Sequence, residues 1–446
     1  MTTLKSLPKT PKKDFLKSMK GVAKDMLGYN EKLKEIYGDK YQIDLGYLQL
    51  YATSNPDLIK HILQTNHKNY VKSMGYDKLK MGLGDGLLTS AGDYWRKQRR
   101  LSQPVFYKNN LENLFVDMGR TTTEFLDTME QLRGSEIDIS KLMTEITATI
   151  VLRSLFNVEE SQQLNKIYES MDVMQNYIMK HVQSPIFSPF YYLSSSHREF
   201  KVSMKDMDDL VYGMMHDRQK SGEKKADLLQ MLMDVEDADT GEKMTDLQLR
   251  DELITLFSAG HETSANSLGW TFYMLAQHPE IVEKIRVEVN GVLPNKEMPT
   301  FEQVRQLTYT EQVINEGMRL FPPAWVIGRR AVEDDEFEGF EIKKEINIWC
   351  EIYLLHRSEA FWDNPEEFNP DRFSAEAVKA RPRHHFIPFG AGPRMCIGNH
   401  FAMIEMQLLL STIVQRFDFS VVENHPVELN GLLTLRPKYG IKLKIK

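Results

Sequence analysis

The sequence predicts a mainly α fold with small β-sheets, and three features lead there. Apolar residues recur with helical period from Gly92 to about Met233, and again over 301–320 and 397–417. A longer helical stretch starts at Thr245-Asp246-Leu247-Gln248, which has capping-box form, and stops at Pro279. At about 1.5 Å per residue it spans roughly 50 Å. Its middle is apolar nearly all round (Leu253, Ile254, Leu256, Phe257, Ala259, Ala265, Leu268, Trp270), which predicts burial on every side. β-like alternation is confined to short pieces. No Gly/Ser or Pro-rich linker interrupts the 446 residues. The expected organisation is an N-terminal segment, 1–39, partly extended, followed by one domain over 40–446.

Each element has its own signal. YQIDLGYLQLYATS (41–54) alternates around a glycine and reads as a hairpin. Asn55-Pro56-Asp57 then supplies an N-cap and a proline at the first helical position. MGLGDGLLTSAG (81–92) is a glycine-punctuated loop, with no preceding strand and the wrong spacing for a dinucleotide turn. QSPIFSPF (183–190), with two prolines, breaks the helical region. Short strands are expected near 340–355.

Composition narrows the function. At 41% hydrophobic and 10% aromatic residues the chain can bury a large core. A net charge of −7 argues against nucleic acid as a partner. Two cysteines form no disulfide framework and suit a reducing cytoplasm. The lysine-rich start has no apolar run of signal-peptide or anchor length, so the expectation is a soluble cytoplasmic protein without a transmembrane anchor.

One of those cysteines, Cys396, lies in FGAGPRMCIG (389–398). Glycines that free backbone N–H groups, a helix starting just behind and Arg394 nearby all favour a thiolate. Such a sulfur is either an inert core thiol, a nucleophile with His400 as base, or an iron ligand. Cys350 has strand-like apolar neighbours and reads as core. Glu262 and Thr263 interrupt the long apolar helix. A buried carboxylate and hydroxyl are costly unless paired. Thr263 either bends the helix by bonding back one turn or serves chemistry.

The motif Phe389-x-x-Gly392-x-Arg394-x-Cys396-x-Gly398 resembles the haem-binding signature of the cytochrome P-450 superfamily. Ala259-Gly260-His261-Glu262-Thr263-Ser264 resembles that family's oxygen-activation motif, and Glu316-Gly317-Met318-Arg319 its ExxR. Pro370-Asp371-Arg372-Phe373 and the Trp95/Arg99 pair match two further elements, all in family order. The resemblance implies haem b between the long central helix and the Cys loop with its following helix, in a haem-thiolate monooxygenase domain over 40–446.

It also implies roles. Cys396 would be the axial ligand of the iron. Trp95, Arg99, Arg329 and Arg394 would hold the propionates, and Phe389, Gly392, Gly398, Ala259 and Gly260 would shape the cofactor site. Gly260 would let the helix open locally. Thr263 and Glu262 would be catalytic, relaying protons to activated dioxygen. Glu316, Arg319 and Arg372 would form a buried network. Ala324, Trp325, Val326 and Leu432 would line the substrate pocket, with Trp325 either narrowing it or packed in the core. His261, Arg330 and His356 receive no role.

The reaction so implied is hydroxylation, or oxidative O- or N-dealkylation such as O-demethylation, of a small organic substrate. No flavin or nicotinamide domain is visible. Electrons would therefore come from a ferredoxin or flavodoxin with an NAD(P)H-dependent reductase. Arg96, Lys97, Arg100 and the run Arg381-Pro382-Arg383-His384-His385 would form a basic docking patch. Competing readings are a peroxide-driven haem-thiolate peroxygenase, a non-catalytic haem gas sensor and a cysteine hydrolase using Cys396 and His400.

Overall fold

The computed structural model describes residues 6–46, 48–157, 161–183, 191–294 and 297–446. The N-terminal segment is extended only at its start, where Lys9 bridges to Gln42 and the Thr10 hydroxyl accepts the Asp44 N–H at 2.9 Å. Phe15–Tyr37 instead forms a helix, α1. Leu27 and Leu33 anchor it to the sheet below. Asp25 breaks its φ/ψ path (φ −158°, ψ 85°), and the Asp25 carboxylate accepts the Gly28 N–H at 3.0 Å, capping the second half.

Helices follow in chain order: α2 (Pro56–Lys60), α3 (Met74–Leu83), α4 (Gly92–Ser102), α5 (Lys108–Gln131), α6 (Ile139–Phe156), α7 (Ser161–Gln183), α8 (Ser195–Ser221) and α9 (Leu228–Asp234). The expected break at 183–190 falls on residues 184–190, which lie outside the described residues. The Asn55 side chain caps α2, accepting the Leu58 N–H at 2.9 Å, and a π-turn (His61–Thr65) continues it. Glycine-rich 81–92 is a loop only from Gly84 onward. Gly84 has φ +65°, and a Cβ there would lie 2.1 Å from the Asp251 carboxylate. The glycine lets the loop settle on the long helix, where Asp251 accepts the Asp85 N–H at 2.8 Å and Glu252 the Leu87 N–H at 3.1 Å.

That long helix, α10 (Asp246–Leu275), has both halves of its capping box: Thr245 Oγ1 accepts from Gln248 N, and Gln248 Oε1 accepts from Thr245 N. Thirty residues give it a length of about 45 Å. Leu253, Ile254, Phe257, Ala265, Leu268 and Trp270 are buried as expected. Burial on every side is not observed. Leu256 and Thr263 are partly accessible and Ala259 is exposed. Spaced i, i+3 and i+7, they form an open stripe along the middle of the helix, with Ser258 and Gly260 beside it also partly accessible. Beyond it come α11 (Pro279–Val292), α12 (Thr308–Leu320) and α13 (Asn399–Arg416). Helices α6, α12 and α13 pack around α10 and share one large apolar core.

Strands are few and short. The hairpin is β1 (Lys40–Asp44) with β2 (Gln49–Thr53), and it belongs to a five-stranded sheet with β3 (Tyr70–Lys72), β5 (Ile327–Ala331) and β8 (Asn347–Cys350), in the order β1-β2-β8-β5-β3. Only the β2–β8 pair is parallel. Periodicity missed β4 (Glu136–Asp138), three residues inside the helical region. It pairs with β12 (Lys442–Ile445), which also pairs with β9 (Phe419–Val421). Two small hairpins, β6 (Asp335–Phe337) with β7 (Phe340–Ile342) and β10 (Leu429–Gly431) with β11 (Leu435–Pro437), complete the described strands.

Candidate active site

The loop before α13 is fixed by close backbone contacts. Gly392 has φ +71°, and a Cβ there would meet the Leu63 carbonyl of the π-turn at 2.0 Å, so only glycine fits. The Cys396 N–H donates to Phe389 O at 2.9 Å, and the Met395 N–H to Gly392 O at 3.0 Å. His356, buried completely, accepts the Ile387 N–H on its Nε2 at 3.0 Å and anchors the loop's entry. Cys396 is exposed as a residue, yet the protein packed around it desolvates the thiol and pushes it above the ordinary value, against the Gly398 N–H and the Arg99 charge, which pull it down. Arg394, expected beside the sulfur, turns away instead: it donates to Ser90 O at 3.0 Å and lies over the Trp95 ring at 4.1 Å. Arg99 takes its place, bonding Met395 O at 2.8 Å. No hydrogen bond joins Cys396 to His400 among the described residues, so the hydrolase reading has no dyad there. Cys350 is fully buried, its thiol pushed up to about 12, as a core residue should be.

Cations collect at this site without counter-charges. Arg329 is 4% exposed, and Nη1 donates only to the carbonyl of Gly328, its own neighbour. Burial, then Arg329, brings the Arg394 guanidinium down to about 10. Burial, then Arg329 and Arg394, push the Lys72 ammonium well below its usual value. No carboxylate among the described residues pairs with Lys72, Arg99, Arg329 or Arg394. Buried like charges that weaken one another are costly unless a ligand brings anions. The Trp95 indole N–H also has no acceptor among the described residues. This donor set fits a group carrying carboxylates beside a thiolate-bound metal. Lys72 belongs to it and was not foreseen.

In α10, Thr263 Oγ1 donates to Ala259 O at 2.8 Å, the bond one turn back. The helix runs unbroken through Gly260, contrary to the expected local opening. The absent Cβ of Gly260 would sit 3.3 Å from Val151 of α6, so the glycine serves close helix packing there. Glu262 is buried and turned away from the open stripe. Its carboxylate accepts from Gln175 of α7, from the Thr434 hydroxyl and from Arg436 of β11, and Arg436 also donates to Gln175 at 2.7 Å. Burial raises its pKa, but Arg436, Thr434 and Gln175 outweigh that and hold it below the ordinary carboxylate value. Glu262, His261, Gln175, Asn266 and Arg436 line a polar cleft of about 320 Å³ that also reaches Asp138.

The expected network is assembled. Arg319 and Glu316, both fully buried, form a two-pronged pair (2.7 and 2.8 Å). Arg319 also donates to the carbonyls of His356, Pro365 and Glu367, and Glu316 accepts the Asn369 N–H at 2.9 Å. Arg372 joins more loosely, 3.5 Å from Glu316. His356 links this network to the Cys loop. Nothing local in the sequence marks that link, because it needs the fold to bring residues 319, 356 and 387 together.

Two expectations change. Trp325, 2% exposed, packs with Leu27, Tyr353, Leu354 and Leu435, and its indole donates to Leu432 O at 2.9 Å, so it is a core residue and does not line a pocket. Ala324, Val326 and Leu432 remain partly accessible around it. The basic patch is largely neutralised: Arg96 pairs with Asp93, Lys97 with Glu242, and Arg100 with Asp237 and Asp239. Arg381 is folded over Trp362 and Phe373, 4.6 Å from each ring, and His384 pairs with Asp57.

No helix among the described residues is long and apolar enough to cross a membrane. Residues 8–445 match the family model described as Cytochrome P450. A cytokinin hydroxylase of Arabidopsis thaliana is 30% identical over 428 residues, covering 92% of this chain and 82% of its own. Cyclooctatin synthase of Streptomyces melanosporofaciens is 30% identical over 383 residues, 85% of this chain and 83% of its own. A cyclooctat-9-en-7-ol 5-monooxygenase of the same species is 28% identical, with 85% and 82% covered.

Proposed function

The chain belongs to the cytochrome P450 family of haem b monooxygenases, and from that premise we propose that it hydroxylates a small organic substrate with electrons from a separate protein. The observation that carries the assignment to this site is an exposed cysteine, Cys396, beside clustered cations with no counter-charge among the described residues. The hydroxylase and monooxygenase names of the relatives favour C–H hydroxylation as the direct reaction. Oxidative dealkylation is the same step at a carbon bearing oxygen or nitrogen.

Bound haem supplies the dioxygen-activating and C–H-oxidising chemistry. Cys396 would hold the iron, with the Gly398 N–H and Arg99 stabilising negative charge on sulfur. Arg99, Arg329, Arg394, Lys72 and the Trp95 N–H would take the propionates, relieving the repulsion among the cations. Ala259 and Thr263 present the open stripe of α10. Thr263 Oγ1 would hold or pass a proton there, giving up its back-bond to Ala259 O. Glu262 would serve only after leaving Arg436, since the clamp keeps it ionised and directed to the polar cleft. We assign electron supply to a ferredoxin or flavodoxin with its NAD(P)H-dependent reductase, and place the protein in the cytoplasm, where its two free cysteines stay reduced.

The test is turnover. Product should form with dioxygen, NAD(P)H and a ferredoxin–reductase pair, and not with hydrogen peroxide alone. Turnover supported by peroxide and indifferent to the reductase would establish the peroxygenase reading instead.

A further inference from the structure

The π-turn against which Gly392 packs is itself held from a distant hairpin. His61–Thr65 is wider than an α-turn, and the Asn66 N–H closes it on the His61 carbonyl at 2.8 Å. The side chains of those two closing residues meet on one oxygen of Asp335, the first residue of β6. His61 Nε2 lies 2.7 Å from Oδ2, and Asn66 Nδ2 donates to it at 2.9 Å. The Tyr70 hydroxyl of β3 donates to the same oxygen at 2.5 Å, and the Glu336 N–H to Oδ1 at 2.9 Å. Burial raises the Asp335 carboxyl, but Tyr70, His61, the Glu336 N–H and Asn66 outweigh it and hold the group below its ordinary value.

The turn bears directly on the Cys loop. Its central carbonyl, that of Leu63, lies 2.0 Å from where a Cβ on Gly392 would be, and the Gln64 Cα lies 3.2 Å from the same point. Ile62 and Leu63 share an apolar cluster with Ile387, and Ala391 packs against it. The stretch 387–392 is therefore seated on the turn along its length. From there the path to the sulfur is short, because the Gly392 carbonyl accepts the Met395 N–H and the Phe389 carbonyl accepts the Cys396 N–H. The contact at Gly392 is backbone against backbone, with no side chain to give way, so a displaced turn displaces the loop.

We propose that Asp335 is a positioning residue for the Cys396 loop: by clamping both ends of the π-turn it fixes the carbonyl against which Gly392 packs, and so the backbone that carries the sulfur. The site calls for a carboxylate. Side-chain donors converge on one oxygen while a backbone N–H occupies the other, and asparagine would turn its own N–H groups toward one of them. The inference rests on the haem-thiolate reading only for its spectroscopic consequence.

Two readouts on the purified full chain test this. Amide hydrogen exchange over 387–398, followed by mass spectrometry, should be several-fold faster in Asp335→Ala and in His61→Leu, while peptides from α6 keep the wild-type rate. Loss of the thiolate-type Soret band from the reduced carbon monoxide complex should be several-fold faster in the same variants. Glu338→Asn is the control. It breaks the 3.0 Å ion pair with Lys40 in the same hairpin, at a φ of +49° that asparagine tolerates, and should leave both readouts at their wild-type values. If Asp335→Ala does not fold, Asp335→Asn and His61→Leu decide by the same measures. Wild-type exchange over 387–398 in the Asp335 and His61 variants, or equal acceleration in Glu338→Asn, overturns the positioning role. A wild type that never shows the thiolate-type band, with exchange behaving as described, would count against the haem-thiolate reading and leave the positioning role standing.

Discussion

At the residue scale, chemistry is concentrated in side chains with one open partner. Thr263 has a single back-bond that it can release, whereas Glu262 has three partners, one of them the ion-paired Arg436. Thr263→Ala should keep the fold and the haem but lower product per oxygen consumed on the order of tenfold, with peroxide appearing instead, as for loss of a positioned proton donor. Oxygen and peroxide accounting measures it. Arg319→Leu removes one half of a fully buried pair and strands Glu316, so about 3–5 kcal/mol of stability should be lost in denaturant titration. These residues were legible because their spacing is local: Cys396 within its loop, Glu316 with Arg319, Glu262 with Thr263. Lys72, His356 and Arg436 were not, since each acts on a residue brought close only by tertiary structure. Trp325 was ambiguous for the same reason. Sequence places it near Leu432 only once β10 and β11 fold back over it.

At the element scale, the long helix and the loop were readable from capping and glycine signals, but the face each presents was not. The apolar run of α10 suggested burial all round, yet Ala259 is exposed, on the face that the proposed cofactor would cover. Gly392→Ala should displace the loop, since the new methyl meets the Leu63 carbonyl in a backbone conformation unsuited to L residues. Lower haem occupancy, read from the absorbance ratio of haem to protein, is the expected outcome. Helix α4 carries a basic run that its neighbours neutralise. The Arg100 guanidinium and turn amides bring Asp237 down to about 2. Electron transfer from an acidic donor should therefore depend only weakly on ionic strength, as stopped-flow reduction at low and high salt would register.

At the scale of the whole molecule, three buried carboxyls, Glu252, Glu351 and Glu405, are each raised to about 8 by burial. The unfolded chain loses these protons near the ordinary carboxylate pKa and the folded chain keeps them until about pH 8, so stability falls as pH rises across that window. Histidines depressed by burial, His261 and His356 among them, act in the opposite sense but only below their unfolded pKa near 6.5. Between pH 7 and 8 the carboxyls dominate. The thermal midpoint should decline there and level off above, and Glu405→Gln should flatten the decline. The mainly α architecture with small sheets was legible from periodicity and chain length. The three-residue β4 was not, because its pairing with β12 joins residues roughly 300 positions apart.

The central claim is that Cys396 holds haem iron through sulfur. The carbon monoxide difference spectrum of the reduced protein reads that bond directly. A strongly red-shifted Soret band in the wild type, absent in Cys396→Ser, is the predicted result, and a Soret band of the imidazole-ligated type in the wild type would contradict it.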